Sequence, residues 1–159
     1  MNFWKGLVLD FRTLLGALIP NSNILSMLLR YEAEVDFRTP RVCLESAART
    51  IEQTLERRGL DPAIGSSALE QLSRLVAPID PEVYDQFEHA ARQRLANDEL
   101  NQWPVVVLAL AFEDVIWAQD EVFLGTGIPI WTTDTVEIYN IQAVHYWCNS
   151  EKGSTRMDD

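Results

Sequence analysis

Short apolar segments that run into a carboxylate alternate with segments of helical spacing, and this alternation constrains the fold most strongly. Residues 7–9 (Leu-Val-Leu) lead directly to Asp10, and residues 115–117 (Val-Ile-Trp) are followed three positions later by Asp120. Buried parallel strands have this continuous apolar character. Strands that alternate with helices form a parallel sheet covered on both faces. We therefore expect an α/β fold, a three-layer α/β/α sandwich with a central parallel sheet.

Local signals place the individual elements. Further strands are predicted at residues 35–38, at 76–79, where Pro78 weakens the prediction, and at 128–131. Helices are predicted by apolar spacing, polar caps and terminating Pro or Gly residues at 13–19, 23–31, about 40–58, 63–75, about 81–96, 103–110 and from 134 onward. Thr39 and Pro40 are interpreted as the cap and first turn of the third helix.

Length and composition indicate one compact domain. We assign residues 1–149 to the domain and expect residues 150–159 to be a disordered tail, since 159 residues would make two domains cramped. No apolar run approaches the roughly 18 residues needed to cross a bilayer, so we expect no membrane association. Two widely separated cysteines, Cys43 and Cys148, form no metal-spaced pair, and a cytoplasmic location is expected.

The net charge of −11 disfavours one class of function. A protein of this charge repels nucleic acid at long range, which argues against a general nucleic-acid coat protein. A nuclease that recruits its substrate through local arginines, bound metal ions or a basic partner remains compatible with the charge.

Acidic residues follow the predicted strands at positions that topology brings together. Asp10 and Asp120 come just after strands, and the carboxyl ends of parallel strands meet at one edge of a sheet. Glu45, early in the third helix, can point to the same edge, and Asp98 and Glu99 are additional candidates. Carboxylate clusters of this kind bind Mg²⁺ or Mn²⁺. Alternatively, the aspartates are helix caps or loop residues and Glu45 belongs to a solvated helix face.

Three segments in a fixed order carry a resemblance to a known family. They are a Trp-Pro-led apolar helix at 102–111, the sequence Ile-Trp-Ala-Gln-Asp at 116–120, and Gly-Thr-Gly-Ile-Pro-Ile-Trp-Thr-Thr at 125–133. In order and spacing these segments are similar to those of PIN-domain proteins, and they resemble one bacterial subfamily in particular. The resemblance extends over nearly the whole chain and implies the PIN-like sandwich.

The resemblance also implies an activity and a site. Similar PIN domains are metal-dependent endoribonucleases that hydrolyse phosphodiester bonds, often as the toxin of a toxin–antitoxin pair and usually as homodimers. It would make Asp10, Glu45 and Asp120 catalytic and metal-binding, with Mg²⁺ or Mn²⁺ as cofactor. RNA would be the substrate and an antitoxin protein a partner. The third acid of the family is replaced here by Gln102, which can coordinate through its carbonyl oxygen but contributes no charge. Asp98 or Glu99, a few residues upstream, is an alternative source of the missing acid.

Three further departures lower the polarity expected around this site. Arg12 stands where the family has a small polar residue, Ala118 replaces a threonine, and Val122 replaces an additional acid. Arg12 is also placed to form a salt bridge with Asp10. The alternative function is therefore a catalytically degenerate PIN-like domain that binds a protein or RNA. Apolar residues of the final helix (Ile138, Ile141 and Trp147) predict a homodimer surface or an antitoxin groove.

Overall fold

A computed structural model describes residues 6–20, 22–95, 102–119, 121–137 and 140. A five-stranded sheet runs through these residues in the order β3-β2-β1-β4-β5, and each neighbouring pair is parallel. The strands are β1 (Gly6–Leu9), β2 (Asp36–Pro40), β3 (Val76–Ile79), β4 (Val115–Trp117) and β5 (Ile130–Trp131). The predicted central parallel sheet is confirmed.

Helices cover both faces of the sheet. They are α1 (Phe11–Ala17), α2 (Asn23–Tyr31), α3 (Arg41–Arg57), α4 (Pro62–Leu75), α5 (Pro81–Tyr84), α6 (Glu88–Arg92) and α7 (Trp103–Phe112). One apolar cluster joins α1 to α4 with the sheet, and a second joins α5, α6 and α7 with its other face. The predicted three-layer α/β/α fold is therefore confirmed. Within the described ranges, no helix is both long enough and apolar enough to cross a membrane.

The apolar helix α7 is the centre of the second layer. Residues 104–109 are all buried, so the helix has no solvent-facing stripe over this stretch. Its sequence predicts this arrangement, because a helix that is hydrophobic on every side must be covered on every side. Pro104 stands in its first turn, and Glu113 ends it in the left-handed conformation with a φ of 56°.

Two predictions about helices are wrong. Thr39 does not cap α3; it is the penultimate residue of β2, and its hydroxyl donates to the carbonyl of Leu9. The predicted continuous helix over residues 81–96 is divided into α5, a 3₁₀ turn at Asp85–Phe87 and α6. The predicted tail at 150–159 lies outside the described residues, as does most of the final helix.

A partly buried ion pair lies at the amino edge of the sheet, opposite the edge where the site is predicted. The Asp114 carboxylate accepts from Arg38 at 2.6 Å, and the Arg38 guanidinium also lies 4.5 Å from the centre of the Phe112 ring. A Cβ added to Gly6 would lie 1.9 Å from Asp114 Oδ1, so only glycine fits there. Burial raises the pKa of Asp114 to about 6 in spite of the opposing effect of Arg38.

Candidate active site at the carboxyl edge of the sheet

Asp10 lies at the carboxyl end of β1, the middle strand of the sheet. The end of β4 is level with it, because Leu9 is in register with Trp117. In open parallel sheets ligands bind outside the carboxyl ends of the strands. The predicted placement of Asp10 at this edge is therefore what the structure shows.

A hydrogen bond holds the Asp10 side chain, and two others tie its neighbours Thr13 and Leu9 to the adjacent strands. Its Oδ1 accepts from the backbone N–H of Thr13 at 2.9 Å, which makes it the N-cap of α1. The Thr13 hydroxyl donates to the carbonyl of Trp117 at 3.1 Å, and the Thr39 hydroxyl donates to the carbonyl of Leu9 at 2.9 Å. Asp10 is only 2% exposed. Both neighbouring strands thus fix the segment that carries this buried carboxyl group.

Cys43 in the first turn of α3 lies close to Asp10. Burial, with a further contribution from the negative charge of Asp10, raises the pKa of the Cys43 thiol to about 12. The thiol is therefore neutral at physiological pH and is not a reactive nucleophile.

An open groove of about 540 Å³ begins beside this pair of residues. Its described lining includes Phe11, Cys43, Ser46, Arg49, Thr50 and Gln102. Phe11 directly follows Asp10 in the chain, and Cys43 is within electrostatic range of it, so two of the residues that line the groove lie close to the buried carboxyl group. Arg49 is the one charged residue among the described lining.

Glu45 is exposed on α3 and is not among the described residues that line the groove. Successive helical residues are rotated by about 100°, so positions two apart point in nearly opposite directions. Glu45 stands two positions after Cys43, the residue whose thiol lies near Asp10. The predicted convergence of Glu45 with Asp10 stays a prediction.

The other predicted acids, Asp120, Asp98 and Glu99, lie outside the described residues. The chain leading to Asp120 is anchored, because Trp117 Nε1 donates to the hydroxyl of Thr133 at 3.2 Å. Gln119 Oε1 accepts from the backbone N–H of Thr133 at 2.8 Å. Position 120 therefore follows a segment that two hydrogen bonds attach to the turn after β5.

The residues that depart from the family pattern have different environments. Gln102 precedes α7 and lines the groove. Ala118 is buried in the second apolar cluster, and Val122 packs against that cluster. Arg12 is exposed on α1, and its predicted salt bridge with Asp10 stays a prediction.

Oxygen donors suited to Mg²⁺ or Mn²⁺ are present at this edge, although few of them are charged. Asp10 contributes a carboxylate and Gln102 an amide carbonyl, both of which are ligand types of hard cations. Across the described ranges, no three His, Cys, Asp or Glu residues form a metal-binding group. The described donors thus fit such an ion in kind, and a complete ligand set requires at least one more acid, for which Asp120 is the predicted source.

Comparison with known families agrees with this geometry. The PIN domain family model matches residues 8–141, and the chain belongs to the PIN domain family. PIN domains are in general nucleases that use divalent metal ions. A search of curated proteins found no match.

The polar face of α3 that lines the groove was not predicted from the sequence. Ser46, Arg49, Thr50 and Gln53 recur at helical spacing, which is the signal that would have placed them on one face. The same pattern is typical of a solvated helix face. The pattern alone therefore does not indicate a binding surface, because it does not reveal that Phe11 lies beside this face.

Proposed function

We propose that the protein is a metal-dependent endoribonuclease that cleaves single-stranded RNA at the carboxyl edge of its sheet. The observation that carries the proposal is the buried Asp10 carboxyl group, fixed beside an open groove in a chain of a nuclease family. Asp10, Asp120 and Glu45 would hold Mg²⁺ or Mn²⁺, and Gln102 would supply a neutral oxygen donor. Such an ion, when bound, makes a water molecule more acidic and stabilises the leaving oxygen.

The biological role that we propose is that of a cytoplasmic toxin paired with an antitoxin protein. Its support is the resemblance to toxin-type PIN domains, which also favours a homodimer. The apolar residues that led to this expectation, Ile138, Ile141 and Trp147, lie outside the described residues. Sedimentation at micromolar concentration tests association, and a clean monomer would contradict the homodimer.

One observation favours a second function, that of a binding module without catalysis. Among the described residues that line the groove there is no carboxylate, and the neutral Gln102 stands where the family has an acid. Two divalent ions about 4 Å apart need several anionic ligands. A site short of one charge would bind metal weakly and cleave slowly, or only bind RNA or protein.

A cleavage assay on labelled single-stranded RNA separates the two functions. We expect cleavage with Mn²⁺ or Mg²⁺ and none with EDTA, and we expect Asp10→Asn and Asp120→Asn to abolish it. Asp85→Asn, which changes an exposed carboxylate in the 3₁₀ turn after α5, is the matched control and should cut normally. Gln102→Asp should increase both metal affinity and rate, because it restores a negative charge to the site.

A double substitution gives the decisive negative result. Arg12→Asn combined with Gln102→Asp removes a cation near the site and adds an anion. If this variant neither binds metal nor cuts RNA, the ribonuclease proposal is wrong and the binding module is the better description.

A further inference from the structure

The groove beside Asp10 is long and runs along one helix. Its described lining on α3 extends from Val42 to Gln53, eleven residues apart. At 1.5 Å per residue this corresponds to about 16 Å. The groove is thus an elongated channel that leads away from the candidate active site, with room for more than the reacting phosphate.

The chemistry of the groove differs from that of the whole protein. The chain carries a net charge of −11, yet the one charged residue among the groove's described lining is the cation Arg49. Its guanidinium donates to the hydroxyl of Ser46 at 3.3 Å, which directs it along the lining. Thr50 and Gln53 add polar groups on the same face of α3. These are the group types that contact phosphate and sugar oxygens in nucleic-acid complexes.

Phe11, which directly follows Asp10 in the chain, supplies the one aromatic ring among these residues. Its side chain is half-buried, packing against the first apolar cluster while lining the groove. Aromatic side chains beside a cationic track bind single-stranded nucleic acid, because unpaired bases stack on the ring. A base-paired strand keeps its bases stacked in the helix and does not offer them in this way.

We infer that this groove binds the single-stranded RNA chain adjoining the cleaved phosphate. Arg49 contacts a phosphate, the Ser46 and Thr50 hydroxyls contact the sugar–phosphate backbone, and Phe11 stacks on a base next to Asp10. The inference rests on the proposed function, since it places the substrate of that same site. It adds which side chains determine RNA affinity independently of metal and cleavage.

Binding without metal tests the inference separately from catalysis. The protein is titrated into a fluorescein-labelled single-stranded RNA of about ten nucleotides in EDTA, and fluorescence anisotropy is followed at several salt concentrations. Arg49→Gln should weaken binding and reduce the slope of log affinity against log salt by about 0.7, the value for one phosphate contact in single strands. Phe11→Leu should weaken binding at least about fivefold through loss of stacking, with little change in that slope.

Arg74→Gln is the matched control. Arg74 is an exposed arginine near the end of α4, paired with Glu70 at 2.7 Å, and it lies toward the opposite edge of the sheet. The control should leave the affinity and the salt slope unchanged. Because Arg49 is exposed, its replacement should not disturb folding, so the test does not depend on Phe11→Leu alone.

Two outcomes would overturn the inference. One is equal RNA affinity in the wild-type protein, Arg49→Gln and Phe11→Leu, which would place RNA elsewhere on the surface. The other is absence of RNA binding by the wild-type protein in EDTA, as expected if the groove holds a protein segment. If Asp10→Asn loses cleavage but binds RNA with unchanged affinity, both proposals are supported. If the wild-type protein binds RNA in the groove but shows no metal-dependent cleavage, only the proposed nuclease activity is overturned.

Discussion

Asp114 provides a sensitive test of how burial and ion pairing compete in this fold. Its carboxyl group is buried against Gly6 and paired with Arg38, and burial prevails, raising the pKa to about 6 from an ordinary value of 3.8. A carboxyl group with a raised pKa binds its proton more tightly in the folded state. Its contribution to stability is therefore fully present below the unfolded pKa and is lost as the pH rises through about 6.

The size of the effect follows from the two pKa values. Between pH 5 and pH 7.5 the linkage relation gives a loss of about 1.4 kcal/mol in the free energy of unfolding from this one group. Asp114→Asn cannot ionise and should lack that loss. The stability difference between wild type and variant should therefore shift by about 1.4 kcal/mol over this range, with the wild type relatively more stable at pH 5.

Urea unfolding at constant ionic strength at both pH values measures this difference. Asp134→Asn, which changes an exposed carboxylate after β5, is the control and should follow the wild type at both pH values. An unchanged difference between wild type and Asp114→Asn would show that Asp114 is ionised throughout and that Arg38 outweighs burial. That result would refute the reasoning.

Two substitutions test the contacts that set the sheet edges. Thr13→Val removes the hydroxyl that donates to the carbonyl of Trp117 and should lower the free energy of unfolding by about 1–2 kcal/mol. Calorimetry should show a fall of several degrees in Tm, and an unchanged Tm would mean that this bond does not hold the edge. Gly6→Ala should lower the free energy of unfolding in urea by about 1–3 kcal/mol, because its Cβ would overlap Asp114. Gly16→Ala on α1 meets only the end of a side chain and should cost little. Equal effects of the two substitutions would contradict the tight contact at Gly6.

The sequence predicts best those elements whose signals are local. The helix at 23–31 is found at the predicted bounds, because Ser22 caps it and an apolar face repeats along it. The strand at 76–79 is confirmed in spite of Pro78, since β3 is an edge strand, where a missing N–H is tolerated.

The prediction of one continuous helix over 81–96 was wrong, because the same apolar spacing is compatible with two short helices. Tyr84, Ala91 and Leu95 are buried, but Phe87 is 41% exposed. The intervening 3₁₀ turn advances by about 120° per residue and not about 100°, which changes the direction of the following side chains. Sequence spacing alone does not distinguish that local tightening from a continuous helix.

Topology predicted correctly that Asp10 lies at the carboxyl edge of the sheet, because the end of a strand in a parallel sheet has only one place to lie. The lining of the groove was not predictable in the same way. It depends on how α3 is rotated about its axis, which brings Cys43 and Ser46 to the groove and leaves Glu45 exposed. That rotation is set by long-range packing of α3 on α1, the sheet and α4, which no local pattern reveals.

The most direct test of the central claim is the effect of Mn²⁺ on thermal stability with and without the Asp10 carboxylate. An ion at one hundred times its dissociation constant stabilises the native state by about 2.7 kcal/mol, which corresponds to a rise of about 5–10 °C in Tm for a chain of this size. Asp10→Asn should abolish the rise, and because asparagine is an equally good N-cap, the variant should still fold. The control Asp85→Asn should retain the full rise. No rise in the wild-type protein, or an equal rise in Asp10→Asn, would contradict the assignment of the carboxyl edge as a metal-dependent active site.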